Sequence, residues 1–148
     1  MTAAIGFVED DGGRAAAGYR GIAGDCVARA ITIATGLAYG EVYDAMNALS
    51  DGERPRRGRR RSSARTGVHR RTYEHFLLAR GWRWTPTMGI GTGCRVHLRA
   101  DESPSGRLIV ALSRHLVAVV DGVVHDTHDP SRGGSRCVYG YYLRAVSP

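Results

Sequence analysis

The run DCVARAITIATG at residues 25–36 constrains this chain more than any other stretch. Val27, Ala28, Ala30, Ile31, Ile33 and Ala34 leave only a narrow stripe for the polar Arg29 and Thr32. A helix of this kind is apolar around most of its circumference and must be wrapped by other elements. Asp25 stands where an N-cap is expected and Gly36 where the helix should stop. The 148 residues are enough to wrap it as one domain without disulfide staples. With 43% hydrophobic and 24% charged residues the composition is that of a globular protein, which argues against a disordered or fibrous chain.

The wrapping elements fall into two halves. Residues 1–18 lack periodicity and read as an irregular lead-in. LAYGEVYDAMNALS repeats apolar residues at Val42, Ala45, Met46 and Leu49, and VHRRTYEHFLLARG at Tyr73, Phe76 and Leu77, so two further helices are predicted. The period then changes to that of strands: 82–87, 107–113, 115–120, 123–127 and 137–143. Asp121-Gly122 between two β-branched runs is the sequence of a two-residue hairpin turn. Helices followed by a sheet expected to be antiparallel give an α+β fold. Between the first two strands, MGIGTGCRVHLRADESPSG is long and glycine-rich, and connections of that length are often functional.

The formal charge of +7 is local. Nine arginines lie between Arg54 and Arg71, and the rest of the chain is close to neutral. Residues 51–67 thus read as a solvated, partly disordered basic loop. Through Arg56, Arg57, Arg59, Arg60 and Arg61 it offers a contact for nucleic acid or another polyanion. No apolar run approaches the roughly 20 residues that span a bilayer, and the acidic N-terminal stretch has no signal-peptide core, so a cytoplasmic protein without membrane contact is expected. Cys26, Cys94 and Cys137 are widely spaced and form no CxxC pair, which predicts free thiols.

Cys26 begins the central helix, where unpaired backbone N–H groups and the helix dipole favour an anion. That setting lowers a thiol pKa, more so beside an imidazolium, and makes a nucleophile. The alternative is a small buried hydrophobe. If Val120 and Val123 face each other across the hairpin, His115 and Asp126 become diagonal neighbours on one sheet face. The carboxylate could then hold one ring nitrogen and leave the other for a thiol. Asp129 is the competing orienter, because Pro130 would end the strand and could swing it inward. A metal site from His115, His125, Asp126 and His128 is disfavoured, since alternation puts 125 and 128 on opposite faces unless the chain bends. Neither metal nor organic cofactor is expected. Cys94 with His97 lacks a helix start and a carboxylate and reads as a surface cysteine, and Cys137 as strand core. Trp82, Trp84, Tyr139, Tyr141 and Tyr142 read as sheet packing.

GDCVARAITIATG, SRHLVAVVDG and VVHDTHDPS resemble the cysteine, histidine and aspartate blocks of papain-like peptidases, nearest to bacteriocin-processing peptidase domains. From about residue 20 onward the chain also resembles a group of small bacterial and phage proteins that shares WRWTPTMGIGTGCRVHLRADE. The resemblance implies a papain-like fold and a Cys26–His115–Asp126 triad acting on a peptide or protein. It also implies a bacterial cytoplasm, or the host's if phage-encoded. Papain-like enzymes place a glutamine or asparagine about six residues before the nucleophile to complete the oxyanion hole, and here that position is Arg20. The backbone N–H of Cys26 supplies one donor, and Arg20 or the Gly89–Gly93 loop would have to supply the other. Deamidases and acyltransferases use the same triad. The non-enzymatic alternative is an inactive papain-like fold that binds nucleic acid or an acidic protein through Arg54–Arg71.

Overall fold

In a computed structural model, which describes residues 4–21, 23–55, 57–89 and 91–144, three helices and a six-stranded mixed sheet form an α+β fold. The helices are α1 (Cys26–Thr35), α2 (Tyr39–Ser50) and α3 (Arg70–Ala79). The strands are β1 (Gly6–Glu9), β2 (Trp82–Pro86), β3 (Arg107–Leu112), β4 (His115–Val120), β5 (Val123–Asp126) and β6 (Gly140–Arg144), in the order β1-β5-β4-β3-β6-β2. All three expected helices and all five expected strands are present; most differ by a residue or two at their ends, and the strand expected over 137–143 runs Gly140–Arg144.

The central helix is as enclosed as its composition demands. Val27, Ala28, Ala30, Ile31 and Ala34 are buried, and they share one apolar cluster with Met46 of α2, Leu77 of α3, and Ile109, Leu116, Ala118 and Tyr142 of the sheet. Ile31 is wholly inaccessible. Truncating such a residue to alanine costs about 2–5 kcal/mol, because the cavity it leaves cannot collapse. Gly36 closes the helix in the left-handed region at φ 79°, its N–H donating to the Thr32 carbonyl. Alternate residues of the same strands, Leu108, Val110, Leu112, Val117, Val119 and Val124, form a second cluster with Ile5, Leu98 and Val138. The glycine-rich connection therefore covers the sheet face that the helices leave bare.

Four expectations are corrected. The lead-in contains β1, which pairs parallel with β5 from Gly6 opposite Val123 to Glu9 opposite Asp126, so the sheet is mixed and not purely antiparallel. Cys94 and Cys137 are joined in a disulfide across 43 residues, and only Cys26 is a free thiol. Closing a loop of that length removes about 4 kcal/mol of chain entropy from the unfolded state. Cys137 precedes β6 and pairs only through an isolated bridge to His97. The arginine segment is anchored: Ser62 N–H donates to Glu53 Oε1 at 2.7 Å, Ala64 N–H to Asn47 Oδ1 at 2.9 Å, and His69 N–H to Ser62 Oγ at 2.9 Å. Ser62 and Ala64 are buried while Arg57, Arg59, Arg60 and Arg61 are exposed. Arg56 lies outside the described residues.

Candidate active site

The β4–β5 turn sets the register on which the site depends. Asp121 and Gly122 both have positive φ, 49° and 77°, as a two-residue hairpin requires. Val120 faces Val123, Val119 faces Val124 and Ala118 faces His125. Continued by two residues, that ladder makes His115 and Asp126 diagonal neighbours, and His115 Nε2 lies 2.6 Å from Asp126 Oδ2. By strand parity both belong with the second cluster. They occupy the first position of β4 and the last of β5, however, at strand ends beside the start of α1, where Asp126 meets Arg29.

Cys26 is the first residue of α1 and lies beside the His115 ring. Nε2 is spent on Asp126, so Nδ1 is the nitrogen left for the thiol. Pairing of β5 with β4 stops at Ala118, which leaves the backbone N–H of Leu116 to point at Cys26 as well. Burial pushes the Cys26 thiol up. The His115 hydrogen bond and charge, the Leu116 N–H and the Arg29 charge more than offset this and hold it below the ordinary thiol value. Burial likewise pulls His115 down, but its bonds to Asp126 and Cys26 raise it to about 9. Asp126 is opposed by burial and held below the usual carboxylate value by His115, the Thr127 N–H and Arg29. These directions describe a thiolate beside an imidazolium, backed by a carboxylate.

Behind the triad lies a charge network that sequence reasoning missed. Arg29, on the next turn of α1, reaches Asp126 Oδ1 at 3.1 Å with one terminal nitrogen and pairs with Asp25 through the other. The second Asp25 oxygen accepts from the Tyr39 hydroxyl at 2.6 Å, and that hydroxyl accepts from Arg14 at 2.8 Å. Asp25 and Asp126 are each 2% exposed. Asp25 occupies the N-cap position, but its side chain makes no capping hydrogen bond, since both oxygens are committed to the network. The first-turn N–H groups of α1 are therefore not taken by a cap. The signal was present in sequence: one arginine in an otherwise uncharged helix, four residues after an aspartate.

The other expected site residues fall elsewhere. Asp129 is exposed, and its Oδ1 accepts from the Ser131 N–H at 2.9 Å, which stabilises only a local turn. Arg20 is exposed and does not line the cleft around Cys26, and neither does Gly89 or any described glycine through Gly93. The second oxyanion donor expected from them is thus not in place. Two groups of described residues bring possible metal-ligating atoms within 4.8 Å of one another. In Cys94, His97 and Cys137 the sulfurs are spent on each other. In His115, Asp126 and His128 the first two are spent on their own hydrogen bond. The chain bends after β5, which brings the His128 ring to 5.5 Å from that of His115, while His125 turns to Asp10 at 3.1 Å.

The open side of the triad is a cleft of about 910 Å³ lined by Cys26, His115, Trp84, Tyr139 and Arg114, among others. Trp84 and Tyr139, expected as sheet packing, present part of their surface to it. Trp84 also contacts Tyr142, with ring centroids 4.8 Å apart. No α-helix among the described residues is long and apolar enough to cross a membrane. Comparison with family models, with curated proteins and with solved structures gave no match to this chain.

Proposed function

We propose that the chain is a papain-like cysteine hydrolase that cleaves an amide bond through a thioacyl intermediate. The observation that carries this reading is the placement of Cys26 beside His115, whose ring is hydrogen-bonded to Asp126, on the wall of a cleft. The Cys26 thiolate attacks the carbonyl carbon, and the tetrahedral oxyanion is stabilised by the uncapped first-turn N–H groups of α1. His115, protonated at Nδ1, delivers that proton to the leaving amine. It then takes one from the water that hydrolyses the thioester, and the expelled sulfur leaves as the thiolate, which restores the ion pair. Asp126 holds the ring through Nε2 in both steps. An amine in place of water would convert the same intermediate into acyl transfer.

The test is the pH dependence of Cys26 alkylation by iodoacetamide, read by mass spectrometry, in the native chain and in His115→Ala. Alkylation needs only the thiolate, so it should proceed well below the ordinary thiol range and lose that advantage in the variant. Amide hydrolysis also needs the imidazolium and should fall as the pH rises through about 9, while alkylation does not. A Cys26 that reacts like a simple thiol and ignores His115 would overturn the proposal.

A further inference from the structure

The arginine segment and the cleft share a wall. Beside the cleft lies a second depression of about 730 Å³, lined by Arg54, Arg60, Arg61 and Arg71 together with Arg59, His69 and Arg70. The last three also line the cleft that holds Cys26. The two hollows therefore lie side by side across these three side chains, and together they form a basic groove beside the nucleophile.

That groove carries positive charge with little to cancel it. The carboxylates that line it are Asp25 and Glu53, and both are committed. Asp25 serves Arg29 and Tyr39, and Glu53 accepts from Ser62 N–H at 2.7 Å and from Thr72 Oγ1. At the rim Arg61 reaches Asp51 at 3.8 Å and Arg70 reaches Glu74 at 3.6 Å. Among the described residues Arg54, Arg59, Arg60, Arg71 and Arg114 make no ion pair, and Arg114 lies in the cleft itself, next to His115. Arg70 is stacked over the Trp84 ring with its guanidinium carbon 4.3 Å from the centroid, which fixes it at the junction. The supporting backbone is held through Ser62, Ala64 and the His69 ring, whose Nε2 lies 2.6 Å from the Arg60 carbonyl. Guanidinium forks match carboxylates in pairs, and Arg70, already held over Trp84, loses little freedom on binding.

Resting on the hydrolase reading, we infer that the substrate is an acidic peptide, whose Asp or Glu side chains on one side of the scissile bond lie in the arginine groove. A peptide fits better than a nucleic acid for two reasons. The groove leads from a nucleophile suited to amide carbonyls, and its basic part contains no tyrosine, tryptophan or phenylalanine on which bases could stack.

The probes are fluorescein-labelled octaglutamate, the matching octaglutamine and oligo-dT of eight nucleotides, each titrated against the full chain and read by anisotropy at low and moderate salt. Protection of Cys26 from iodoacetamide by each unlabelled oligomer is measured in parallel. The expected result is that octaglutamate binds and slows Cys26 alkylation, that octaglutamine does neither, and that oligo-dT binds more weakly. In the triple variant Arg59→Gln, Arg60→Gln, Arg71→Gln, octaglutamate affinity should fall tenfold or more with an unchanged unfolding midpoint, since these side chains are exposed. Equal binding of octaglutamine, stronger binding of oligo-dT, or octaglutamate binding that leaves Cys26 unprotected overturns the inference. Each of these readouts is separate from the His115 dependence of alkylation. A fast, His115-dependent Cys26 with no preference for octaglutamate would sink the acidic substrate and leave the hydrolase standing.

Discussion

Replacing Arg29 by methionine probes the buried network most directly. The side chains are similar in length, so the change removes charge and hydrogen bonds while keeping much of the packing. It leaves Asp25 and Asp126, each 2% exposed, without their shared counter-charge. Asp25 keeps Tyr39 and Asp126 keeps His115 and the Thr127 N–H, so neither is bare. Removing one partner from a buried ion pair costs about 3–5 kcal/mol, a large part of the roughly 5–15 kcal/mol that holds a domain folded. With a urea m-value of about 2 kcal/mol/M for a chain of this size, the midpoint should fall by about 2 M at pH 7. The sign of the pH dependence is a second check. In the native chain Asp126 titrates below its usual value, so its contribution is present above that value and is lost as the pH falls through the folded one. In the variant Asp126 loses the Arg29 charge but keeps His115 and the Thr127 N–H, so it moves back towards its usual value. The gap to the native chain should therefore narrow only as the pH falls below about 4. Adding Asp25→Asn should recover part of the loss. If that double variant proves too unstable to purify, Arg29→Lys, which keeps the charge but cannot fork between two carboxylates, should fall between native and Met. A loss below about 1 kcal/mol at pH 7 that does not change with pH would refute the assignment of Arg29 as the shared counter-charge.

Three more substitutions test the site and the packing beside it. Asp126→Ala should slow Cys26 alkylation near pH 6 by tenfold or more, because His115 loses the partner that raises it, whereas Asp129→Ala should leave the rate unchanged; the opposite order would mean that the wrong aspartate has been placed behind the ring. Gly140→Ala should destabilise the fold by about 1–3 kcal/mol and perturb Trp84 fluorescence, because an added Cβ would lie inside the Trp84 ring and against the Thr85 carbonyl, and an unchanged spectrum and midpoint would contradict that packing.

The elements were legible where a single period dominates. The apolar circumference of α1, the helical spacing of Val42 and Met46, and the β-branched runs around Asp121-Gly122 all report local geometry that tertiary contacts reinforce. The register that pairs His115 with Asp126 follows from that turn alone. What the sequence hid depends on partners far along the chain. β1 is four exposed residues with no apolar alternation, and its pairing with β5 joins positions more than a hundred residues apart. The Cys94–Cys137 bond and the Arg29–Asp126 pair span 43 and 97 residues. The arginine segment misled for a different reason. Its charged side chains are solvated as composition suggests, but its few small residues, Ser62 and Ala64, anchor it to α2 and to Glu53.

Cys26 emerges from the ribosome long before His115 and Asp126, and the hairpin that carries those two is made as a unit near the other end of the segment. Until residues 115–126 are made, Cys26 has neither the ring nor the carboxylate that stand beside it in the fold. The nascent chain is thus a harmless thiol throughout elongation. On the proposed hydrolase reading, activity would wait until the hairpin docks on the start of α1.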